Sequence, residues 1–535
     1  MTQSTLGGDI IGRELKNAGA THAFGIPGGE VLALIQGLNA ADIRFVLVKH
    51  ENSGGFFAEG HWHMTGALPV LVATLGPGVA NAVNVVANAM QDRVPLIFLT
   101  GCVEGTLLGS FTHQVVDHQA MLRPVVKGTF RLERGKIAEV VREAIALAQS
   151  GQPGPVHIDV PVDVAESESI EAELMPIVKA ASHPPVQKNI NEARGLLASS
   201  RRPLAIAGVD AVLEGAGTAI SAFCKNHNIP LVTTYKGKGL LNESDALCLG
   251  AAGLSPLADK TLMPLIAQSD CLLLLGYDPI EMRVGWRNPW GKDKPVIEIA
   301  PVERNHGMHA VTVSMIGEIV STLSHLQHAV PERWVEKEPA KARAKLQKDF
   351  SGPQTWGPHA AFRTLREVSP DEAVVTADSG AHRILLSQMW ECRVPRTLLQ
   401  SSGFCTMACA LPLAAGAKLG RAYVPVICVV GDAGLDMAAG ELATLRDLQL
   451  PVIVCVLVDE TLALIDLKQR KSQLPSIGVK FGKTDFAALA RAYGGQGADV
   501  DSASGLKLEL ERALERHCFS VIAIHIPPRA YDGYI

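Results

Sequence analysis

Residues Val424–Leu467 read VPVICVV (Val424–Val430), then Gly431-Asp432-Ala433-Gly434, then an amphipathic helical pattern from Met437 to Leu448, then VIVCVLV (Val452–Val458) and Asp459-Glu460-Thr461. Two short, wholly apolar runs on either side of a helical period predict parallel strands buried on both faces and joined by a crossover helix. Each strand ends in a carboxylate, Asp432 and Asp459. In open α/β sheets ligands sit outside the carboxyl ends of the strands. A small turn opening a helix offers backbone N–H groups to an anion. Two strand-end carboxylates beside such a turn suit Mg²⁺, a hard cation that takes carboxylate and phosphate oxygens. Either Asp alone reads equally as a helix N-cap; the pair, in strand–Gly-Asp-x-Gly–helix–strand–Asp, favours a metal site.

The same alternation extends outward. Phe45–Val48, Val70–Thr74 and Leu96–Thr100 are predicted strands, with helices over Ser53–Met64 and from the Gly76-Pro77-Gly78 turn to Met90. Strands recur at Pro203–Gly208, Pro230–Thr234 and Cys271–Gly276, and again at Ala373–Asp378 and Val521–Ile526. Strands alternating with helices mean parallel sheets, so the fold class is α/β with three doubly wound domains. The expected units are residues 1–170, 186–330 and 355–535. An acidic, Pro-containing linker (Glu166–Gln187, with His183-Pro184-Pro185) and a charged helical connector (330–357) separate them.

Composition narrows the function. The chain has 535 residues, enough for several cores, with 47% hydrophobic and 19% charged residues, a globular balance. Lys plus Arg number 49 against 54 Asp plus Glu, a net charge of −5, so there is no basic excess for nucleic acid. The uncharged windows Leu68–Gln91 and Thr397–Ala417 carry Gly, Pro, Asn or Gln and read as buried strand, turn and helix segments, not membrane spans. None of the ten Cys forms a C-x-x-C pair, and the opening residues show no secretory pattern, so a reduced cytoplasm is expected. There is no Gly-x-Ser-x-Gly elbow, Walker loop or Gly-x-Gly-x-x-Gly after a strand.

The Gly431–Thr461 stretch resembles the cofactor motif of thiamine-diphosphate (ThDP) enzymes, with Gly-Asp-Ala for the usual Gly-Asp-Gly and Val458-Asp459 for the usual Asn-Asn. The resemblance implies Asp432, Asp459 and the Thr461 carbonyl as Mg²⁺ ligands, with Gly431, Ala433 and Gly434 around the diphosphate. It covers nearly the whole chain, in the family order of pyrimidine, middle and pyrophosphate domains. Val46-Leu47-Val48-Lys49-His50-Glu51 is similar to the stretch bearing the family's glutamate, which implies Glu51 as the group that bonds the aminopyrimidine and promotes deprotonation of the thiazolium carbon. Without that frame Glu51 is simply an acidic residue in a helix's first turn. Pro27, in Ile26-Pro27-Gly28, and Gly76 with Asn81, in Gly76-Pro77-Gly78-x-x-Asn81, resemble turns near the cofactor. Gly380, Ala381 and His382 resemble a diphosphate-contacting turn, and Met407, two residues after Cys405, matches the apolar residue that props the bent cofactor.

Among subfamilies the chain looks most like the flavin-independent, catabolic acetolactate synthases. The matching stretches are His113-Gln114-x-x-Asp117 with Pro124 and Lys127, Thr233-Thr234-Tyr235 with Asn242, Gly276–Glu281, and Phe481-Gly482 with Asp485-Phe486. This implies no flavin, and a homodimer or homotetramer with the active site at the subunit interface. It also implies a 2-oxo acid donor, an aldehyde or 2-oxo acid acceptor, and Gln114 and His113 as substrate-orienting or proton-moving groups. The chain departs from the pattern at Phe404-Cys405 and at Leu462–Leu467, so the pocket differs in polarity. Carbon–carbon lyase or simple decarboxylase activity is the competing outcome, and a degenerate cofactor-binding or regulatory scaffold is the reading outside catalysis. Lys127 reads equally as a partner for an acidic substrate or as a cap on Pro124–Val126.

Overall fold

The computed structural model describes residues 5–107, 109–110, 112–170, 185–304, 306–327 and 330–535. The expected linker around His183-Pro184 lies outside them. Three six-stranded sheets, each wholly parallel, organise the chain. The first comprises β1 (His22–Gly25), β2 (Arg44–Leu47), β3 (Val70–Ala73), β4 (Ile97–Cys102), β5 (Gly128–Arg131) and β6 (Val156–Pro161), in the order β2-β1-β3-β4-β6-β5. The second comprises β7 (Pro203–Ala207), β8 (Leu231–Thr233), β9 (Cys248–Ala251), β10 (Cys271–Leu275), β11 (Val296–Ala300) and β12 (Val313–Ile316), ordered β9-β8-β7-β10-β11-β12. The third comprises β13 (Val374–Ala377), β14 (Leu398–Gln400), β15 (Val426–Gly431), β16 (Val452–Val458), β17 (Gln496–Val500) and β18 (Ser520–His525), ordered β14-β13-β15-β16-β18-β17.

The first and third sheets therefore share one topology. In each, the strand order reverses direction between the first and third strands, and this switch point is where an open sheet leaves a crevice. The segments that follow β13 and β15 carry Gly380–His382 and Gly431–Gly434; those that follow β1 and β3 carry Pro27 and Gly76. Topology alone thus places two sets of candidate residues at equivalent edges.

One apolar cluster runs through the first and third units, from Phe56, Phe57 and Trp62 to Leu413, Ala414 and Ala417. Its seam is α1 (Glu51–Thr65) against α4 (Ala410–Gly420). The two backbones approach so closely that a Cβ at Gly60 would lie 2.2 Å from the Leu413 carbonyl oxygen, and one at Gly416 2.1 Å from that of Phe57. A second cluster joins the middle and third sheets.

The uncharged windows are strand, turn and helix: β3 with α2 (Pro77–Asp92), and β14 with α4. Among the described residues no helix is long and apolar enough to cross a membrane. The expected helix from Met437 to Leu448 is instead two short ones. The first, α5 (Asp432–Ala438), begins at the metal-candidate Asp itself; the second spans Glu441–Asp447. The break at Ala439-Gly440 lies where the first unit docks: Gly440 faces Lys49, and the Lys49 backbone N–H donates to Glu441 (3.0 Å).

Candidate active site

A cleft of 660 Å³ opens at the β13/β15 switch point. Gly380, Ala381, His382, Cys405, Met407, Gly431, Asp432, Ala433, Gly434, Asp459 and Thr461 all line it, so every candidate from the third unit meets in one place. Asp432 Oδ2 accepts the backbone N–H groups of Asp459 (3.0 Å) and Glu460 (2.7 Å), and its Oδ1 accepts that of Ala433 (2.8 Å). One carboxylate thereby ties the ends of β15 and β16 together. Asp459 Oδ1 takes the Thr461 N–H (3.2 Å). Burial, then the neighbouring Asp432, push the Asp459 carboxyl up to about 7. A buried and a half-buried carboxylate side by side form an oxygen donor set short of positive charge, and that fits a divalent hard cation; the Thr461 carbonyl, two residues beyond Asp459, accepts the Ala463 N–H (2.8 Å).

The opposite side of the turn fits an anion. His382 is buried at the start of α3 (Ala381–Met389), and burial drops its pKa to about 3, so the ring is neutral. Its Nε2 has no hydrogen-bond partner among the described residues. The ring lies under two glycines: a Cβ at Gly380 would come within 2.7 Å of it and one at Gly431 within 3.3 Å. Glycine at both positions therefore leaves bare backbone over the imidazole.

Asp378, which ends the third unit's first strand, was not singled out by the motifs yet sets the shape of the 401–408 segment. Fully buried, it accepts N–H groups from Ala408 (3.0 Å), Cys409 (2.8 Å) and Ala410 (3.3 Å), and so caps α4. Burial raises its pKa against those bonds. Cys405 and Ala408 take left-handed φ angles of 58° and 65° within the segment. Strained backbone of this kind persists only when its surroundings hold it. Arg383 donates to the Ser401 carbonyl and to Cys405 Sγ. The first unit's α2 braces the same segment: Ser401 Oγ donates to Asn88 (2.5 Å), Thr406 Oγ1 to Asn84 (3.3 Å), and the Gly403 N–H to Asp92 (3.2 Å). Phe404 points elsewhere and is 41% exposed, so the departure at that position does not face this cleft.

The first-unit candidates form a second group. Glu51 is buried at the first turn of α1, behind His50, whose Nδ1 accepts the Asn52 N–H (3.1 Å). Asn81 Nδ2 donates to Glu51 Oε2 (3.0 Å), and Gly78 leaves room for Oε1. Gly76 has φ +60°, and a Cβ there would sit 2.4 Å from the Gln114 carbonyl oxygen. It is thus the Gln114 backbone, itself at φ +59°, that touches the turn, while the Gln114 and His113 side chains are exposed. Pro27 is exposed at the end of β1. Lys127 donates to the Ser150 (2.6 Å) and Gln152 (2.9 Å) carbonyls, so it closes a helix end and takes no part in the site.

Behind Gly76 lies a chain the motifs missed. The Gly76 N–H donates to His118 Nε2 (3.1 Å), His118 Nδ1 pairs with Asp159 (2.8 Å), Thr100 donates to Asp159 (2.9 Å), and His157 Nε2 pairs with Thr100 (2.8 Å). These bonds put the His118 proton on Nδ1. Two polar residues at alternate positions of an apolar run, Val156-His157-Ile158-Asp159-Val160, were the available signal, because the strand period sets both on one face.

Among the described residues, no side chain of the first unit lines the 660 Å³ cleft of its own chain. Family models for the thiamine pyrophosphate enzymes match three stretches: the N-terminal TPP binding domain over residues 5–121, the central domain over 190–326 and the C-terminal TPP binding domain over 378–524. The chain belongs to the thiamine pyrophosphate enzyme family. It is a ThDP-dependent enzyme, and its three parallel-sheet units are the N-terminal, central and C-terminal domains of that family. It is 29% identical to a probable acetolactate synthase large subunit of Methanococcus aeolicus, over 92% of this chain and 87% of that one. It is 28% identical to an acetolactate synthase of Bacillus subtilis (93% and 89%). It is 30% identical to a probable 2-ketoarginine decarboxylase of Pseudomonas aeruginosa (96% and 92%).

Proposed function

We propose that this ThDP enzyme decarboxylates a 2-oxo acid and joins the remaining carbon fragment to a second carbonyl, as an acetolactate synthase does. Residues 1–170, 186–330 and 355–535 are its working units. The observation that carries the reading is the single cleft lined by Gly380–His382, Met407, Gly431–Gly434, Asp459 and Thr461. Asp432, Asp459 and the Thr461 carbonyl would hold Mg²⁺. Gly380, Ala381, His382, Gly431, Ala433 and Gly434 would face the diphosphate, and Cys405 and Met407 the ring system. When bound, ThDP supplies an electron sink for cleaving and forming carbon–carbon bonds.

The chain's own part is positioning and proton traffic. Asn81 donates to Glu51 Oε2 (3.0 Å), which leaves Oε1 as the oxygen that would exchange a proton with the aminopyrimidine. Pro27, Gly76 and Asn81 form the edge against which that ring would lie. His113 and Gln114, exposed beside the turn, would orient substrate or move protons.

Because, among the described residues, the cleft takes its walls from the second and third units only, Glu51 would act in the cleft of a partner copy, in a homodimer or homotetramer. Co-expressing Glu51→Gln with Asp432→Asn tests this. Hybrid dimers then hold one intact site and regain activity that neither variant has alone; a mixture as inactive as its parts contradicts the shared site. All ten cysteines are unpaired, in keeping with a cytoplasmic enzyme.

Simple decarboxylation is the second reading. It is favoured by the apolar wall Leu462, Ala463, Leu464 and Ile465, which lines the cleft and offers no polar group to seat an acceptor. Product analysis after offering pyruvate with and without an aldehyde separates the two: ligated product supports the first, CO₂ with free aldehyde the second.

A further inference from the structure

Two stretches of the cleft lining are apolar. Leu254, Met282 and Val284 come from the middle unit, and Leu464 and Ile465 from the helix that follows Thr461. Each wall also carries one cation, Arg283 on the middle-unit side and Lys468 on the helix, and both line the cleft. Among the described residues neither side chain has an ion-pair or hydrogen-bond partner, although most of the chain's cations that sit at its functional centre do. Lys236 bonds Asp92, and Arg383 bonds Ser401 and Cys405. Glu281 lines the cleft beside Arg283, but its Oε1 accepts the Lys236 N–H (3.0 Å), its Oε2 is buried without a hydrogen-bond partner, and among the described residues it makes no ion pair with either cation. Asp259, whose carboxyl feels the Arg283 charge, is engaged by the Trp286 indole (3.0 Å) and the Gly253 N–H (3.2 Å).

We propose that the cleft selects a 2-oxo acid with a second anionic group at the far end of a short apolar chain, and that Arg283 and Lys468 hold that group. This rests on the 2-oxo acid reading above and narrows it to a substrate class. The apolar walls accept the methylene chain, and a guanidinium meets a carboxylate with two parallel N–H bonds. A substrate with a cationic end, such as the 2-ketoarginine in the name of one relative, would meet two like charges and be rejected.

The test uses the full-length protein loaded with ThDP and Mg²⁺. CO₂ release is compared for 2-oxoglutarate, for 2-oxopentanoate of the same chain length, and for the guanidino analogue. A charged hydrogen bond in a partly desolvated site makes the dicarboxylate preferred by about ten- to a hundredfold in kcat/KM. In Arg283→Met and Lys468→Met the ratio of dicarboxylate to monocarboxylate falls toward unity, mainly through KM for the dicarboxylate. Equal turnover of the two acids by the native enzyme overturns the proposal, as does a variant that leaves their ratio unchanged.

If no 2-oxo acid is turned over, the functional reading fails, yet the subsite is still tested by calorimetry with unreactive glutarate and pentanoate. Tighter, salt-sensitive binding of glutarate that is lost in Arg283→Met upholds it. Equal binding of the two overturns it.

Discussion

At the junction of the three units, half-buried Lys236 sits among three buried carboxylates: Glu59 and Asp92 of the first unit and Glu281 of the middle unit. Lys236 Nζ reaches Asp92 (3.1 Å) and the Gln400 carbonyl (3.1 Å), while its N–H bonds Glu281. Burial, only partly offset by Lys236 and Thr234, raises Glu281 from its ordinary 4.5 to about 7. A carboxyl that keeps its proton longer in the folded chain costs nothing below about 4.5, where both states are protonated. The cost grows as pH rises to about 7 and is constant above it. At about 1.4 kcal/mol per unit the full cost is roughly 3 kcal/mol. Glu281→Gln keeps a carbonyl for the Lys236 N–H and cannot ionise. Its melting temperature, measured by calorimetry from pH 5 to pH 8.5, should therefore match the native value near pH 5. By pH 8 it should exceed it by several degrees, at about 2–4 °C per kcal/mol for domains of this size. A difference that does not change with pH would refute the reasoning.

Two further perturbations follow from the same geometry. Lys236→Met leaves Glu59, Asp92 and Glu281 without their counter-charge, a loss of about 3–5 kcal/mol; thermal melts should show it larger at pH 8 than at pH 5, where Glu59 and Glu281, both raised to about 7 by burial, hold protons. His118→Ala removes the acceptor for the Gly76 N–H and should lower kcat/KM by about tenfold to a hundredfold through the displaced turn. His118→Gln, which restores an acceptor oxygen, should recover part of it, and equal rates for all three proteins would remove His118 from the account.

The third unit was readable because its chemistry is local. Asp432 and Asp459 each end an apolar run, and a strand ending in a turn fixes where its last side chain lies. Gly380–His382 follow the same rule on the neighbouring strand. The shared topology of the first and third sheets was not readable, because composition and rhythm do not encode strand order. The missing elements are long-range ones. Asp378 shapes the Met407 segment from 30 positions away through backbone bonds that no local pattern announces. His118 meets Asp159 across 41 positions, and the Lys236 cluster joins three units. The helix expected from Met437 to Leu448 was periodic in sequence, but the docking of Lys49 against Gly440 and Glu441 divided it. Lys127 had two equal readings in sequence, and the carbonyls it binds, Ser150 and Gln152, close a helix end that neither reading named.

The central claim is that Glu51 drives a ThDP-dependent reaction on a 2-oxo acid. The measurement that tests it most directly is CO₂ release from pyruvate and 2-oxoglutarate by purified protein, with and without ThDP and Mg²⁺, for the native chain and for Glu51→Gln. ThDP-induced thermal stabilisation is followed in parallel. The account predicts turnover only with cofactor, abolished in Glu51→Gln while the stabilisation by ThDP persists. Turnover by Glu51→Gln at the native rate, or turnover without ThDP, would contradict it.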